Sequence, residues 1–194
     1  MSINLRGVRI NFGDCSTPQM RTLSETHALE RLHKLKSEFA RRIREDFEPR
    51  AKNCLTCEVQ GACCLDAHFV NVHITRLEAV AINEVLDELP VEKRDEVRNR
   101  IEEVIARYDL LSAGDTFAKT YACPLFEKGV GCLVHDRGKP VACIAHACYE
   151  NKDDLPPEEL VIDCEAEVER LNERSYRKRS AWLPLPIAVS SRRR

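Results

Sequence analysis

At 194 residues the chain is long enough for one domain, or one domain with terminal extensions, and its 43% hydrophobic share can supply a packed core. A net charge of −2 sets it apart from nucleic-acid-binding proteins, so no nucleic-acid partner is expected. No segment approaches the ~18 to 20 apolar residues that span a bilayer, and the N-terminus lacks the pattern of a secretory signal. The expected location is therefore cytoplasmic, with no membrane partner.

Residues 1 to 21 carry no clear period and hold the isolated Cys15. Thr22-Leu23-Ser24-Glu25 reads as a capping box, with Thr22 and Glu25 covering the exposed amides of a helix start. From there to Phe47, Leu29, Leu32, Leu35, Phe39, Ile43 and Phe47 recur at spacings of three and four, the pattern of one long amphipathic helix. Pro49 ends it. This helix packs on the domain or recruits a protein partner. Alternation around Val70, Val72 and Ile74 reads as one short strand over 68–74. Thr75 and Glu78 form a second capping box, opening a helix that runs to Leu89. Pro90 breaks it, and a further helix reaches about Tyr108. Each helix is roughly 20 to 30 Å long at 1.5 Å rise per residue. As an antiparallel hairpin they carry the chain back, which sets Cys64 beside Cys123. A last helix follows Pro157 through Val161, Cys164, Val168 and Leu171, and the segment 182–187, interrupted by Pro184 and Pro186, is expected to lie extended. The basic end, Arg170 to Arg179 and Arg192 to Arg194, reads as a solvated helix face and tail.

The expected fold is mainly α: a small helical domain with one or two short strands, organised around cysteine-rich metal-binding loops. Three parts follow: an N-terminal segment and long helix over 1–52, a cysteine-cluster domain with a helical-hairpin insert over 53–150, and a C-terminal helix and basic tail over 151–194.

Ten cysteines in a reducing compartment point to metal ligation or redox chemistry rather than structural disulfides. One cluster, C-L-T-C-E-V-Q-G-A-C-C, gives Cys54, Cys57, Cys63 and Cys64. A C-x-x-C pair on a tight turn aims two sulfurs at one point, and Gly61 lets the backbone wrap closely. In extended backbone the vicinal Cys63 and Cys64 point to opposite faces, so either two centres form or one thiol stands aside. The second cluster gives Cys123, Cys132, Cys143 and Cys148, with His135 and His146 as further possible ligands. These eight cysteines are the candidate metal ligands. Four thiolates suit zinc or iron alike, the latter alone or as an iron–sulfur cluster. Cys164 lies in an apolar stripe and reads as a core thiol, Cys15 reads as no ligand, and His68 and His73 read as packing histidines.

The motifs resemble the YkgJ-type cysteine-cluster family of zinc- or iron-chelating domains. Its C-x-x-C…C-C motif corresponds to Cys54, Cys57, Cys63 and Cys64. Its C-P-x-L, C-x-I-Y and R-P-x-x-C elements are similar to Cys123-Pro124-Leu125-Phe126, Cys132-Leu133-Val134-His135 and Lys139-Pro140-Val141-Ala142-Cys143. Departures are the five residues between Cys57 and Cys63, His135 in place of Tyr, Lys139 in place of Arg, and one extra residue between Cys132 and Cys143. The resemblance covers residues 53 to 148 and implies metal chelation in an accessory or structural role. Flagellin lysine methylases share a similar cysteine motif, which makes an iron–sulfur-dependent redox or protein-modifying enzyme the alternative. No Gly-rich phosphate loop, H-E-x-x-H motif or C-x-x-x-C-x-x-C spacing is present, and no catalytic residue is assigned.

Overall fold

The computed structural model describes residues 21–52, 59, 61–65, 70–112, 114–178 and 181–191. The fold is mainly helical, with six α-helices and two small two-stranded sheets among the described residues. Cys15, Cys54, Cys57 and His68 lie outside them.

Helix α1 (Glu25–Asp46) forms where its apolar period predicts, but its cap is Ser24 rather than Thr22. The Ser24 hydroxyl accepts from the His27 amide at 3.3 Å. Thr22 loses the role because the adjoining Leu23 amide is engaged by the Arg174 carbonyl at 3.0 Å, which fixes the chain before the helix begins. The buried face of α1 is Ala28, Leu29, Leu32, Lys36, Phe39 and Ile43. It packs on α5 (Glu158–Tyr176), α4 (Val141–Ala145) and α2 (Arg76–Asp87), where Leu77, Val80, Ile144, Cys164, Val168 and Leu171 join one apolar cluster. Cys164 is thus a core thiol, as its stripe predicts. Fully burying a Leu or Ile stabilises by roughly 1.5 to 3 kcal/mol. The ion pairs of Arg41 with Glu38 and Glu45 are exposed and screened by solvent, so burial decides this helix.

The start of α2 carries the second capping box in full. Thr75 Oγ accepts from the Glu78 amide and the Glu78 carboxylate accepts from the Thr75 amide, both at 3.3 Å. Asn172 of α5 takes the next exposed donor, the Leu77 amide, at 3.0 Å. Pro90 separates α2 from α3 (Val91–Arg107). Both turn their apolar sides, Ile82 and Leu86 of α2 and Val97 and Ile101 of α3, to a second cluster.

That cluster is completed by a segment the sequence expects to be wholly extended. Only Leu183–Pro184 (β4) is extended, pairing antiparallel with β1 (His73–Ile74), and a short helix follows, α6 (Leu185–Ser190). Pro184 sits at its N-cap and Pro186 in its first turn, where a missing N–H costs nothing. Leu185, Ala188 and Val189 of α6 are buried against α2 and α3. Of the predicted strand over 68–74, residues 68 and 69 lie outside the described residues and only His73–Ile74 is strand among the rest, although Val70 and Val72 accept hydrogen bonds from the Tyr121 amide (3.0 Å) and the Leu185 amide (2.9 Å). The remaining sheet is the hairpin of β2 (Phe126–Glu127) and β3 (Gly131–Cys132). No helix among the described residues is long and apolar enough to cross a membrane.

Candidate metal centre

The two cysteine stretches, far apart in sequence, are joined by backbone hydrogen bonds at both ends. The Lys52 amide donates to the Cys148 carbonyl at 2.8 Å, and Ala51 and Tyr149 form an antiparallel bridge. At the other end the Cys123 amide donates to the Cys64 carbonyl at 2.9 Å. The return of the chain through α2 and α3 therefore does bring Cys123 beside Cys64.

Cys63 and Cys64 lie on a single 3₁₀ turn, Ala62–Cys64, entered through Gly61 at φ 78°. Glycine is required there twice over. The left-handed backbone disfavours a side chain, and an added Cβ would overlap the Phe126 ring of β2. This contact seats the first cysteine stretch on the β2–β3 hairpin, which carries Cys132 opposite Phe126. The turn also corrects the extended-backbone expectation for the vicinal pair. Helical curvature places the two sulfurs 4.0 Å apart. Two thiolates on a tetrahedral zinc at ~2.3 Å lie roughly 3.8 Å apart, so the pair has the separation of two corners of one site.

Cys63, Cys64, Cys132, Cys143 and Cys148, together with His135 and His146, line a single cavity of about 1050 Å³. Cys143 is presented by α4, one turn beyond its Pro140 N-cap. Cys123 does not line the cavity but bonds to Cys64 through its thiol as well as its amide. Cys63, Cys64, Cys123, Cys132 and Cys143 are outside any disulfide. The donor chemistry is that of a soft cation site. Among the described residues, however, no group of three or more Cys, His, Asp or Glu is arranged to hold an ion. They supply a pair at ligand spacing, with further donors around the same space.

Without a cation, burial and mutual hydrogen bonding favour the neutral thiols. The hydrogen bond to Cys123, with burial behind it, pushes the Cys64 thiol up to about 12. Burial pushes Cys143 up to about 12 and raises Cys132. The hydrogen bond to Cys64, then burial, raises Cys63. Burial also holds His146 below its usual value, which keeps the imidazole in the neutral form a metal takes.

Compared with protein-family models, curated proteins and solved structures, the chain matches none. The likeness to YkgJ-type motifs rests on the quoted residues alone.

His73 also lines the cavity, yet both its ring nitrogens are engaged, with the Asn71 carbonyl at 3.1 Å and Thr116 Oγ at 3.0 Å. Its ring stacks on Phe117 with centroids 3.8 Å apart. It reads as a packing histidine that fixes the loop around 116.

A buried ion pair lies between α1 and α2. Lys36 of α1 and Glu78 of α2 are 5% and 1% exposed, with Nζ and Oε1 3.7 Å apart, and neither of those atoms has a hydrogen-bond partner. Burial holds the Lys36 ammonium below its usual pKa, against the opposing pull of Glu78, Cys143 and Cys164. The signal was available: Lys36 falls four residues after Leu32 and three before Phe39, within the apolar stripe.

Proposed function

We propose that this chain binds a thiophilic metal, zinc or iron, in an accessory, chelating or structural role within a reducing compartment such as the cytoplasm. The observation that carries the reading is the meeting of two sequence-distant cysteine stretches, held at both ends by backbone bonds, around one cavity. Thiols of this number outside a disulfide are hard to explain as packing groups, since Cys63 is exposed and Cys64, Cys132 and Cys143 are only partly covered. Cys63 and Cys64 supply two donors, Cys132, Cys143 and Cys148 lie on the same walls, and Cys54 and Cys57 belong to the same first stretch. A bound zinc would supply a rigid cross-link between the two stretches.

A second reading is favoured by size. An ion takes a volume comparable to one water, about 30 Å³, whereas the cavity is about 1050 Å³. An iron–sulfur cluster with an organic molecule beside it uses such a space, and this is the enzyme alternative. The apolar stripe of α1 is buried within the chain, so a protein partner on this helix meets its charged face.

One preparation tests both readings. Protein purified without oxygen is assayed for zinc, iron and acid-labile sulfide, with an absorption spectrum. Colourless protein carrying stoichiometric zinc supports the first reading. Brown protein with iron and sulfide supports the second. Protein without either metal, which also fails to take up zinc or iron on reconstitution, removes both.

A further inference from the structure

We infer that Lys139 is the counter-cation of the thiolate centre, a positioning residue whose charge holds an anionic metal–sulfur unit inside the cavity. The inference rests on the metal-binding reading above and concerns how that site tolerates its own charge.

Four described lysines are not fully exposed: Lys36, Lys93, Lys119 and Lys139. Three of them face a carboxylate, Lys36 with Glu78 at 3.7 Å, Lys93 with Glu127 at 2.6 Å and Lys119 with Asp109 at 3.7 Å. Lys139 faces none among the described residues. Two carboxylates share the cavity wall with it, Glu48 and Glu165, and neither forms an ion pair with it. Lys139 is partly covered and has no carboxylate partner among the described residues, so no anion described here offsets its charge at the cavity wall.

Lys139 shares its cavity with thiols. It lines the same cavity as Cys63, Cys132 and Cys143, and Pro140 separates it from the helix that presents Cys143. Its charge acts on all three thiols, easing the ionisation that burial and hydrogen bonding oppose, and it also disfavours a proton on His146. Four thiolates around a divalent ion carry a net charge of about −2. Largely apolar walls disfavour that charge unless a cation sits close by; Lys52 on the same wall is paired with Glu150 at 3.3 Å, whereas Lys139 has no carboxylate partner among the described residues. Its role is electrostatic and outside the ligand set, as with groups that orient and tune ligands from behind.

The test is zinc affinity of the full chain, by competition with a chromophoric chelator under reducing, oxygen-free conditions. Lys139→Gln and Lys139→Met are both made, because Met keeps the apolar stem if Gln disturbs packing. Lys128→Gln, an exposed lysine outside the cavity lining, removes the same net charge elsewhere. Lys139→Arg keeps the charge. The expected result is a loss of about 10- to 100-fold in both neutral variants. Lys128→Gln should stay at the wild-type value and Lys139→Arg should recover most of it, with the unfolding transitions of the metal-free variants unchanged. Wild-type affinity in both neutral variants overturns the inference, as does an Arg variant as weak as Gln. Wild-type protein that takes no zinc removes the metal reading itself, a distinct failure seen before any variant is compared.

Discussion

Around α1, α2, α4 and α5 the chain buries Leu32, Phe39, Ile43, Leu77 and Val168; around the cavity the walls carry sulfur, imidazole and an unpartnered lysine. The helical region is held by apolar area and completed caps. Among the described residues the cysteine region has backbone bonds at its edges, the Gly61–Phe126 contact and a two-residue hairpin, and Leu125, Val134, Val141 and Ile144 anchor its second stretch in the two apolar clusters. A region of the first kind is stable by itself, whereas the loops strung between those anchors depend more on what they bind. The Lys36–Glu78 pair sharpens the contrast. In the core a cation is matched by an anion, and at the cavity Lys139 faces no carboxylate among the described residues.

The largest effect expected from that contrast is on metal removal. Structural zinc contributes an apparent ~10 to 16 kcal/mol in small thiolate sites at neutral pH. Chelation under reducing conditions should therefore speed amide exchange across 123–139 by orders of magnitude and leave the centres of α1 and α5 protected. Loss of protection in all three together would show a single cooperative unit instead. The pH dependence of the two preparations should be opposite. In the metal-free chain the thiols of Cys64 and Cys143, raised to about 12 by the hydrogen bond to Cys123 and by burial respectively, stay protonated when folded but ionise near their ordinary value when unfolded. Unfolding then releases protons, so this part of the stability is full below about pH 8.5 and falls as pH rises toward 12. In the loaded chain the ligands must stay deprotonated, so metal is lost as pH falls. Denaturation followed from pH 5 to 11 with and without zinc tests both signs.

Next in size is Lys36→Met, which leaves Glu78 buried beside no cation and should cost about 3 to 5 kcal/mol in urea unfolding. Lys36→Met combined with Glu78→Gln should recover most of that loss, because Gln can still close the capping box. If the double variant is as unstable as the single, charge balance is not what the pair provides. Gly61→Ala should cost about 1 to 3 kcal/mol through its left-handed backbone, with the clash on Phe126 added, and should weaken zinc binding as well. An Ala variant with unchanged stability would mean that the turn is not seated on the hairpin. The smallest change is Ser24→Ala, about 1 kcal/mol from α1, with Thr22→Ala near zero. A reversal of that order would restore Thr22 as the cap.

How much the sequence reveals divides along the same line. The 3.6-residue period and the Thr75–Glu78 box locate α1, α2, α3 and α5, because these depend on neighbours three and four residues away. The cap of α1 is misread because its choice between Thr22 and Ser24 is made by Arg174, some 150 residues later. The helix of 185–190 is hidden by its prolines, which break a helix interior but fit a first turn. At the cavity, spacing identifies candidate donors but not their shape. That Cys63 and Cys64 share a face follows from the 3₁₀ turn, which Phe126 enforces across the fold. Neither the pairing of Lys36 nor the isolation of Lys139 is visible until the helices are packed.

The bonds at Lys52 and Cys64 have a consequence for how an ion meets this chain. Cys57 and Cys143 are 86 positions apart, and drawing such a span together from a free chain carries the closure entropy of a large ring. With the first stretch pinned at both edges, the ring left to close is about eight times smaller, which lowers the entropic barrier by about 2 kcal/mol. On the proposed metal-binding reading, capture is a local event on a prepared frame rather than the gathering of a free chain.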